Sequence, residues 1–205
     1  ANADGVTTTL GRGGSDYSAA IIGACLGASE IQIWTDVDGM LTADPRIVRD
    51  VRVVPHLSFA EASELAYFGA KVLHPSTMLP AIDKNIPIHI YNSRNPGGSG
   101  TSVVQASANV DPVVKSVAYK HNTVLLTARP KKRYSQFIFW EHLFNVLTKH
   151  NAEPGMIVTS EFSIGVVLDA RKDIAAIEHD FNMIGTTRVL EKKAILCVVG
   201  SRIKE

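Results

Sequence analysis

The stretch Gly11-Arg-Gly-Gly-Ser-Asp-Tyr-Ser-Ala-Ala-Ile-Ile-Gly-Ala-Cys-Leu-Gly27, followed by Glu30-Ile-Gln-Ile-Trp-Thr-Asp36, decides the fold class. Ser15 and Asp16 are good helix N-caps, Tyr17 to Leu26 is rich in Ala and Ile, and Gly27 supplies a glycine stop, so a buried helix is expected here. Glu30 to Thr35 then alternates apolar and polar residues, as a strand does. A helix that feeds a strand, with a turn cluster at Asp36-Val-Asp-Gly39, is the grammar of an α/β domain with a largely parallel sheet.

The same alternation continues downstream. Ser58-x-x-Glu61 is a capping box, and Phe59, Ala62, Leu65 and Ala66 form the apolar stripe of its helix, which Gly69 closes. Pro75 to Lys84 reads as a short helix. Ile86 to Tyr91 reads as a strand whose Pro87 puts it at an edge or at a strand start. Thr101 to Val104 is a short strand, and the small, polar stretch Gln105 to Pro112 is a linker. Beyond it Val113–Tyr119 and Thr123–Thr127 read as strands. Phe137–Lys149 reads as a helix with Phe137, Trp140, Phe144 and Leu147 at helical spacing. Met156–Thr159 and Phe162–Leu168 are strands, Asp173–Phe181 is a helix, and Arg188–Leu190 and Ala194–Val199 are the last strands. From Thr123 onward the order is β-α-β-β-α-β, the ferredoxin-like arrangement.

Composition removes several function classes. With 21 basic and 20 acidic residues the net charge is +1, and no basic stripe exists for nucleic acid. No run reaches the roughly 18 apolar residues of a membrane span, and no signal peptide opens the chain. Cys25 and Cys197 lie in apolar runs without metal-ligand spacing. They read as reduced core residues of a cytoplasmic protein, and no metal site is assigned within the chain.

Four short motifs can carry chemistry. In Gly11-Arg-Gly-Gly-Ser-Asp16 the glycines allow close backbone approach, the following helix offers free N–H groups, and Arg12 can grip a carboxylate or phosphate with paired hydrogen bonds. A bare glycine turn would be structural; flanking Arg12 and Asp16 make it an anion site. Thr35-Asp36 ends a strand, where open α/β sheets bind ligands, although a capped turn would look alike. Asp44-Pro45-Arg46 is a proline turn presenting Arg46, and Gly69-Ala-Lys71-Val72 offers a lysine as a point charge for phosphate. There is no P-loop and no protein-kinase signature.

Thr7-Thr-Thr-Leu-Gly-Arg-Gly-Gly-Ser-Asp16, Trp34-Thr-Asp-Val-Asp-Gly39, Thr42-Ala-Asp-Pro-Arg46 and Phe68-Gly-Ala-Lys-Val-Leu-His-Pro75 stand in the order and spacing of aspartate kinases, which the chain resembles. The resemblance implies an amino-acid kinase fold over residues 1–104, in its C-terminal part, with helices on both faces of a mostly parallel sheet. A linker would follow at 105–112, and an ACT regulatory domain at 113–205. It implies phosphoryl transfer from ATP, with Mg2+, to the β-carboxylate of L-aspartate, on the route to lysine, threonine and methionine. Arg12, Gly14 and Ser15 would line the aspartate site and Asp16 would orient the reacting groups. Thr35, Asp36, Leu41, Arg46, Lys71 and Val72 would face ATP, with Lys71 steadying the phosphates. Such chemistry needs positioning and charge neutralisation more than covalent help. The ACT part would bind an amino-acid effector through Ser135, Gln136, Thr159, Ser160 and Glu161 and pair into a homodimer, covering an exposed sheet edge.

The departures are specific. The family's Lys-Phe-Gly-Gly phosphate loop has no counterpart in the 205 residues, and Leu41 stands where many members carry an adenine-stacking Tyr. Arg133-Tyr-Ser-Gln136 and Gly155 depart from the lysine-inhibited pattern, which argues against lysine as the effector. A dense motif so near the first residue, which is not Met, reads as a fragment boundary, and with the lysine loop absent and the sheet half-built, negligible turnover is expected of this polypeptide alone. The alternative reading is a non-catalytic ACT-containing module that binds an amino-acid effector.

Overall fold

The computed structural model describes residues 2–11, 13–70, 72–105, 113–131, 136–201 and 203, with positions 76 and 77 described in backbone only. Arg12, Lys71, most of the expected linker (106–112) and Ser135 lie outside the described residues. In order, the elements are α1 (Gly14–Leu26), β1 (Ile31–Thr35), β2 (His56–Ser58), α2 (Phe59–Tyr67), α3 (Pro75–Lys84), β3 (Ile88–Asn92), β4 (Thr101–Val104), β5 (Ser116–Pro130), α4 (Gln136–Lys149), β6 (Met156–Ser160), β7 (Ser163–Asp169), α5 (Ile174–Ile184) and β8 (Gly185–Val199). They form two compact units, Ala1–Tyr119 with Leu196–Glu205, and Lys120–Ile195. Thus 113–119 and 196–205 belong with the first unit, whereas the sequence assigns all of 113–205 to the regulatory part.

The first unit is built on a four-stranded sheet in the order β1-β3-β4-β2. Two of its pairings, β1 with β3 and β2 with β4, are parallel; β3 and β4 are antiparallel. Pro87 precedes β3 in an interior strand, so the strand-start reading holds and the edge reading does not. Alternation puts Ile31 and Ile33 of β1 and Ile88 and Ile90 of β3 into the core, with Leu57, Leu65, Met78 and Val103. On the opposite side of β1 and β3, Trp34 and Tyr91 lie 5.1 Å apart between ring centroids. The helix α1 does not start at Ser15 or Asp16 as expected. Gly13, with φ 72°, takes the cap, because only glycine adopts that left-handed turn without strain. Nor is α1 a buried helix: only Ala20 and Gly23 are buried. A Cβ at Gly23 would lie 2.7 Å from Ile31 Cγ1, so helix and strand approach along a seam of small residues, leaving Cys25 exposed rather than in the core. Cys197 is partly buried against this core, and burial raises its thiol pKa.

The second unit has the sheet order β6-β7-β5-β8 with β5 and β6 antiparallel to β7. Its core joins Leu126, Ala128, Ile164, Val166 and Leu168 of the sheet to Phe139, Leu143 and Leu147 of α4 and Ile177 and Phe181 of α5. The face of α4 differs from the expected one. Leu147 of the expected set is buried, but with Phe139 and Leu143, at i, i+4 and i+8, whereas Phe137 and Phe144 are exposed. Two expected strand pairs are also single strands. β5 runs from 116 to 130 through Asn122 at φ 56°, and β8 from 185 to 199 through Lys192 at φ 54°. Each absorbs its polar interruption at one left-handed residue instead of breaking. After β7 the Arg171 guanidinium clasps Asp169, holding that carboxyl at about 2. Among the described residues no helix is long and apolar enough to cross a membrane.

Candidate active site

The first unit carries a cleft of about 240 Å³. The turn after β1 contributes Val37, Gly39 and Leu41, and the proline turn contributes Asp44 and Arg46. The end of α2 and the segment after it contribute Leu65, Gly69, Ala70 and Val72. The beginning of β5, Ser116 to Tyr119, forms the remaining wall. Most of these side chains are aliphatic, and Tyr119 is the one aromatic ring among them. A mainly apolar cleft with a few polar groups suits a flat heterocycle attached to a charged tail.

Local structure explains each position. Thr101, buried on β4, accepts a hydrogen bond from the Met40 N–H at 2.8 Å and donates one to the Val54 carbonyl at 2.8 Å, which pins the turn after β1 to the sheet. Gly39, at φ 138°, allows that approach, since a Cβ there would lie 2.5 Å from the Thr101 hydroxyl. The Ser116 hydroxyl donates to the Leu41 carbonyl at 2.7 Å, and the Val117 N–H to the Thr42 carbonyl at 2.9 Å, so the β5 wall is stitched to the segment after β1. Asp44 grips Arg46 through Nε at 3.0 Å and through the terminal nitrogen at 2.5 Å, an exposed pair that raises the guanidinium further above its ordinary pKa. The pair holds Arg46 at the rim.

Of the nucleotide-side residues read from the sequence, Leu41, Arg46 and Val72 line this cleft. Lys71 falls between two lining residues, Ala70 and Val72, but outside the described residues. Thr35 and Asp36 are not among the lining residues. Thr35 ends β1 and Asp36 follows it, just before Val37, and the Thr35 hydroxyl donates to Asp36 at 3.3 Å. Gly14, Ser15 and Asp16 form the first turn of α1, which has no side-chain cap, and the Ser15 hydroxyl donates to Asp16 at 3.2 Å. The first N–H groups of such a helix have no intrahelical partner and point toward an anion. The sequence reading misses the Ser116–Tyr119 wall. Its one signal is the alternation of 113–119, which marks a strand but not where that strand packs.

The second unit carries a separate groove of about 710 Å³ lined by Arg129, Lys131, Gln136, Trp140, Ser160 and Glu161, among others. Gln136 donates to the Ser160 carbonyl at 3.3 Å. Gln136, Ser160 and Glu161 of the expected effector set therefore come together. Thr159 is not a lining residue, and Ser135 is outside the described residues.

The amino acid kinase family profile matches residues 1–92. Aspartokinase 3, chloroplastic, of Arabidopsis thaliana is 38% identical over 203 residues, covering 95% of this chain and 36% of that protein. Lysine-sensitive aspartokinase 3 of Escherichia coli K12 is 44% identical over 165 residues, covering 80% of this chain and 36% of that protein. The crystal structure of E. coli aspartokinase III in complex with aspartate and ADP, in the R-state, superposes with a TM-score of 0.84 at 36% identity, covering 98% of this chain and 47% of that one. The chain thus spans 36% of the length of these two curated relatives, matched along nearly all of its own sequence by the first. Along nearly all of its length the chain is similar to part of the aspartate kinases.

Proposed function

We propose that the chain supplies the nucleotide side of an aspartate kinase, which transfers the γ-phosphoryl group of ATP to the β-carboxylate of L-aspartate. The observation that carries this reading is the cleft in which Leu41, Arg46 and Val72 meet, Val72 being the chain neighbour of Lys71. The apolar walls take the base, and Arg46 at the rim and Lys71 neutralise the phosphates. Thr35 and Asp36 border the same side. Arg12, Gly14, Ser15 and Asp16 hold the aspartate carboxylates and orient the attacking oxygen, supported by the uncapped first turn of α1. Magnesium fits as an ion brought in on the phosphates, because it needs only one or two protein carboxylates. Among the described residues no three His, Cys, Asp or Glu side chains gather as a resident metal site. When bound, it supplies charge neutralisation between the phosphates.

The test is calorimetric titration of the 205-residue chain with ADP. Binding is expected at about 1 mM or tighter. Lys71→Met is expected to weaken it about ten-fold or more, the loss of one charge-assisted hydrogen bond. Absence of ADP binding, or indifference to Lys71→Met, would overturn the assignment.

We further propose that the groove of the second unit binds an amino-acid effector, with Glu161 facing its ammonium and Arg129 or Lys131 its carboxylate. The relative from E. coli is lysine-sensitive by name, whereas positions 133–136 and 155 depart from the lysine-inhibited pattern. Titrations with lysine, threonine and methionine, repeated on Glu161→Gln, discriminate: heat with one of them that Glu161→Gln abolishes is expected, and no heat with any counts against the site. The second unit is also proposed to pair into a homodimer through β6, an edge strand exposed along its length, with sedimentation as the measurement.

A further inference from the structure

Glu61 does more than a capping residue requires. It stands three residues after Ser58 at the start of α2, and its carboxylate closes the capping box by accepting from the Ser58 N–H at 2.7 Å. Capping glutamates need only that bond and are ordinarily solvated. Here the residue is 8% exposed and the same carboxylate takes two further donors from distant parts of the chain. Lys115, itself 4% exposed, reaches it at 2.9 Å, and the Ser201 hydroxyl reaches its other oxygen at 2.9 Å. Burial alone would raise the Glu61 pKa, but the Ser58 amide, Lys115 and Ser201 outweigh it and hold the carboxyl below its ordinary value.

Lys115 is the residue immediately before the wall of the cleft. Its own N–H donates to the Val199 carbonyl at 2.9 Å, Ser116 and Val117 are stitched to Leu41 and Thr42, and Tyr119 lies against Gly69. Ser116 to Tyr119 is therefore held at Ser116, Val117 and Tyr119, and the residue just before it is anchored by the buried ion pair with Glu61. The other end of α2 lines the cleft through Leu65, and Gly69, just after that helix, meets Tyr119 of the wall. A buried ion pair is a poor source of stability compared with an apolar pair, but it holds two segments in one geometry.

We infer that Glu61 is a positioning residue of the nucleotide cleft: through Lys115 it sets the distance between α2 and the Ser116–Tyr119 wall, and so the affinity for the nucleotide, without touching it. The inference rests on the nucleotide reading of the cleft. Two variants isolate the charge. Glu61→Gln keeps an acceptor for the capping box, and Lys115→Met keeps the length of the lysine stem. Each is expected to weaken ADP binding by about ten-fold, as a displaced wall does. Each also speeds amide exchange at Val117, whose N–H is bound to Thr42. The double variant Glu61→Gln/Lys115→Met leaves no lone buried charge. It is expected to recover the melting temperature but not the ADP affinity, while Lys115→Arg stays close to wild type in both.

A purely stabilising role predicts instead that affinity returns with the melting temperature in the double variant, and that result would overturn the inference. Unchanged exchange at Val117 in both single variants would overturn it as well. If the unaltered chain fails to bind ADP while Glu61→Gln still accelerates Val117, the nucleotide reading fails and the positioning of the wall stands.

Discussion

Gly69→Ala is expected to destabilise the first unit by about 3 kcal/mol, the cost of a strained backbone plus a steric clash. Gly69 follows the end of α2 at φ 125°, a conformation that side-chain-bearing residues rarely adopt. A Cβ built there would lie 2.6 Å from the Tyr119 carbonyl oxygen. That oxygen is backbone, so no rotamer change relieves the contact; either α2 or the Ser116–Tyr119 wall must shift. Because both line the cleft, ADP affinity is expected to fall by about ten-fold or more along with stability. Gly97→Ala is the control, since a Cβ there meets nothing within 4 Å and Gly97 has no positive φ. Its expected effect is within about 0.5 kcal/mol. Urea unfolding and ADP titration of the two variants decide the matter. A Gly69→Ala chain as stable as the Gly97→Ala chain would contradict the packing of α2 against this wall.

The second large effect is expected in the other core. Phe181 on α5 is fully buried and packs with residues of α4 and the sheet, Phe139, Leu143 and Leu168 among them. Phe181→Ala removes most of a large side chain from a site walled by helices and strand, where collapse is limited. A loss of about 4 kcal/mol is expected. A unit of this size has only about 4–11 kcal/mol to lose, so the variant sits near the edge of folding. Its melting temperature is expected to fall by about 20 °C, read by circular dichroism. Phe181→Leu, which keeps most of the volume, is expected to cost about 1.5 kcal/mol or less. A Phe181→Ala loss below about 1 kcal/mol would mean that the site is not packed as described.

Much of the fold is legible in local chemistry. Pro75 and Lys84 bound α3 as read, because Pro fits the first helical turn and Asn85 closes the helix in the left-handed conformation. The Ser58–Glu61 capping box marks α2, and the alternation of Thr101 to Val104 marks β4. Legibility ends where two local patterns compete. Along α4 the residues Phe137, Trp140, Phe144 and Leu147 are as periodic as Phe139, Leu143 and Leu147, and only the sheet beneath decides which stripe is buried. Around Lys120-His-Asn122 the polar run resembles a turn, yet β5 passes through it, because ladder pairing on both sides outweighs one left-handed residue.

The candidate site divides the same way. Sequence alone supplies the candidate residues: the Gly11–Asp16 loop, the Thr35-Asp36 strand end, Arg46, Lys71 and Val72 are readable because each stands in a short motif. It also determines the order of elements, since periodicity and caps are local. Only the tertiary structure decides that the cleft closes with Ser116 to Tyr119, across the linker from every motif that marks it. Nor does a capping glutamate announce that it is buried against Lys115, 54 residues away. Pairing at such distance depends on how strands order in a sheet, and that order is set by burial summed over the whole core, not by any one stretch of chain.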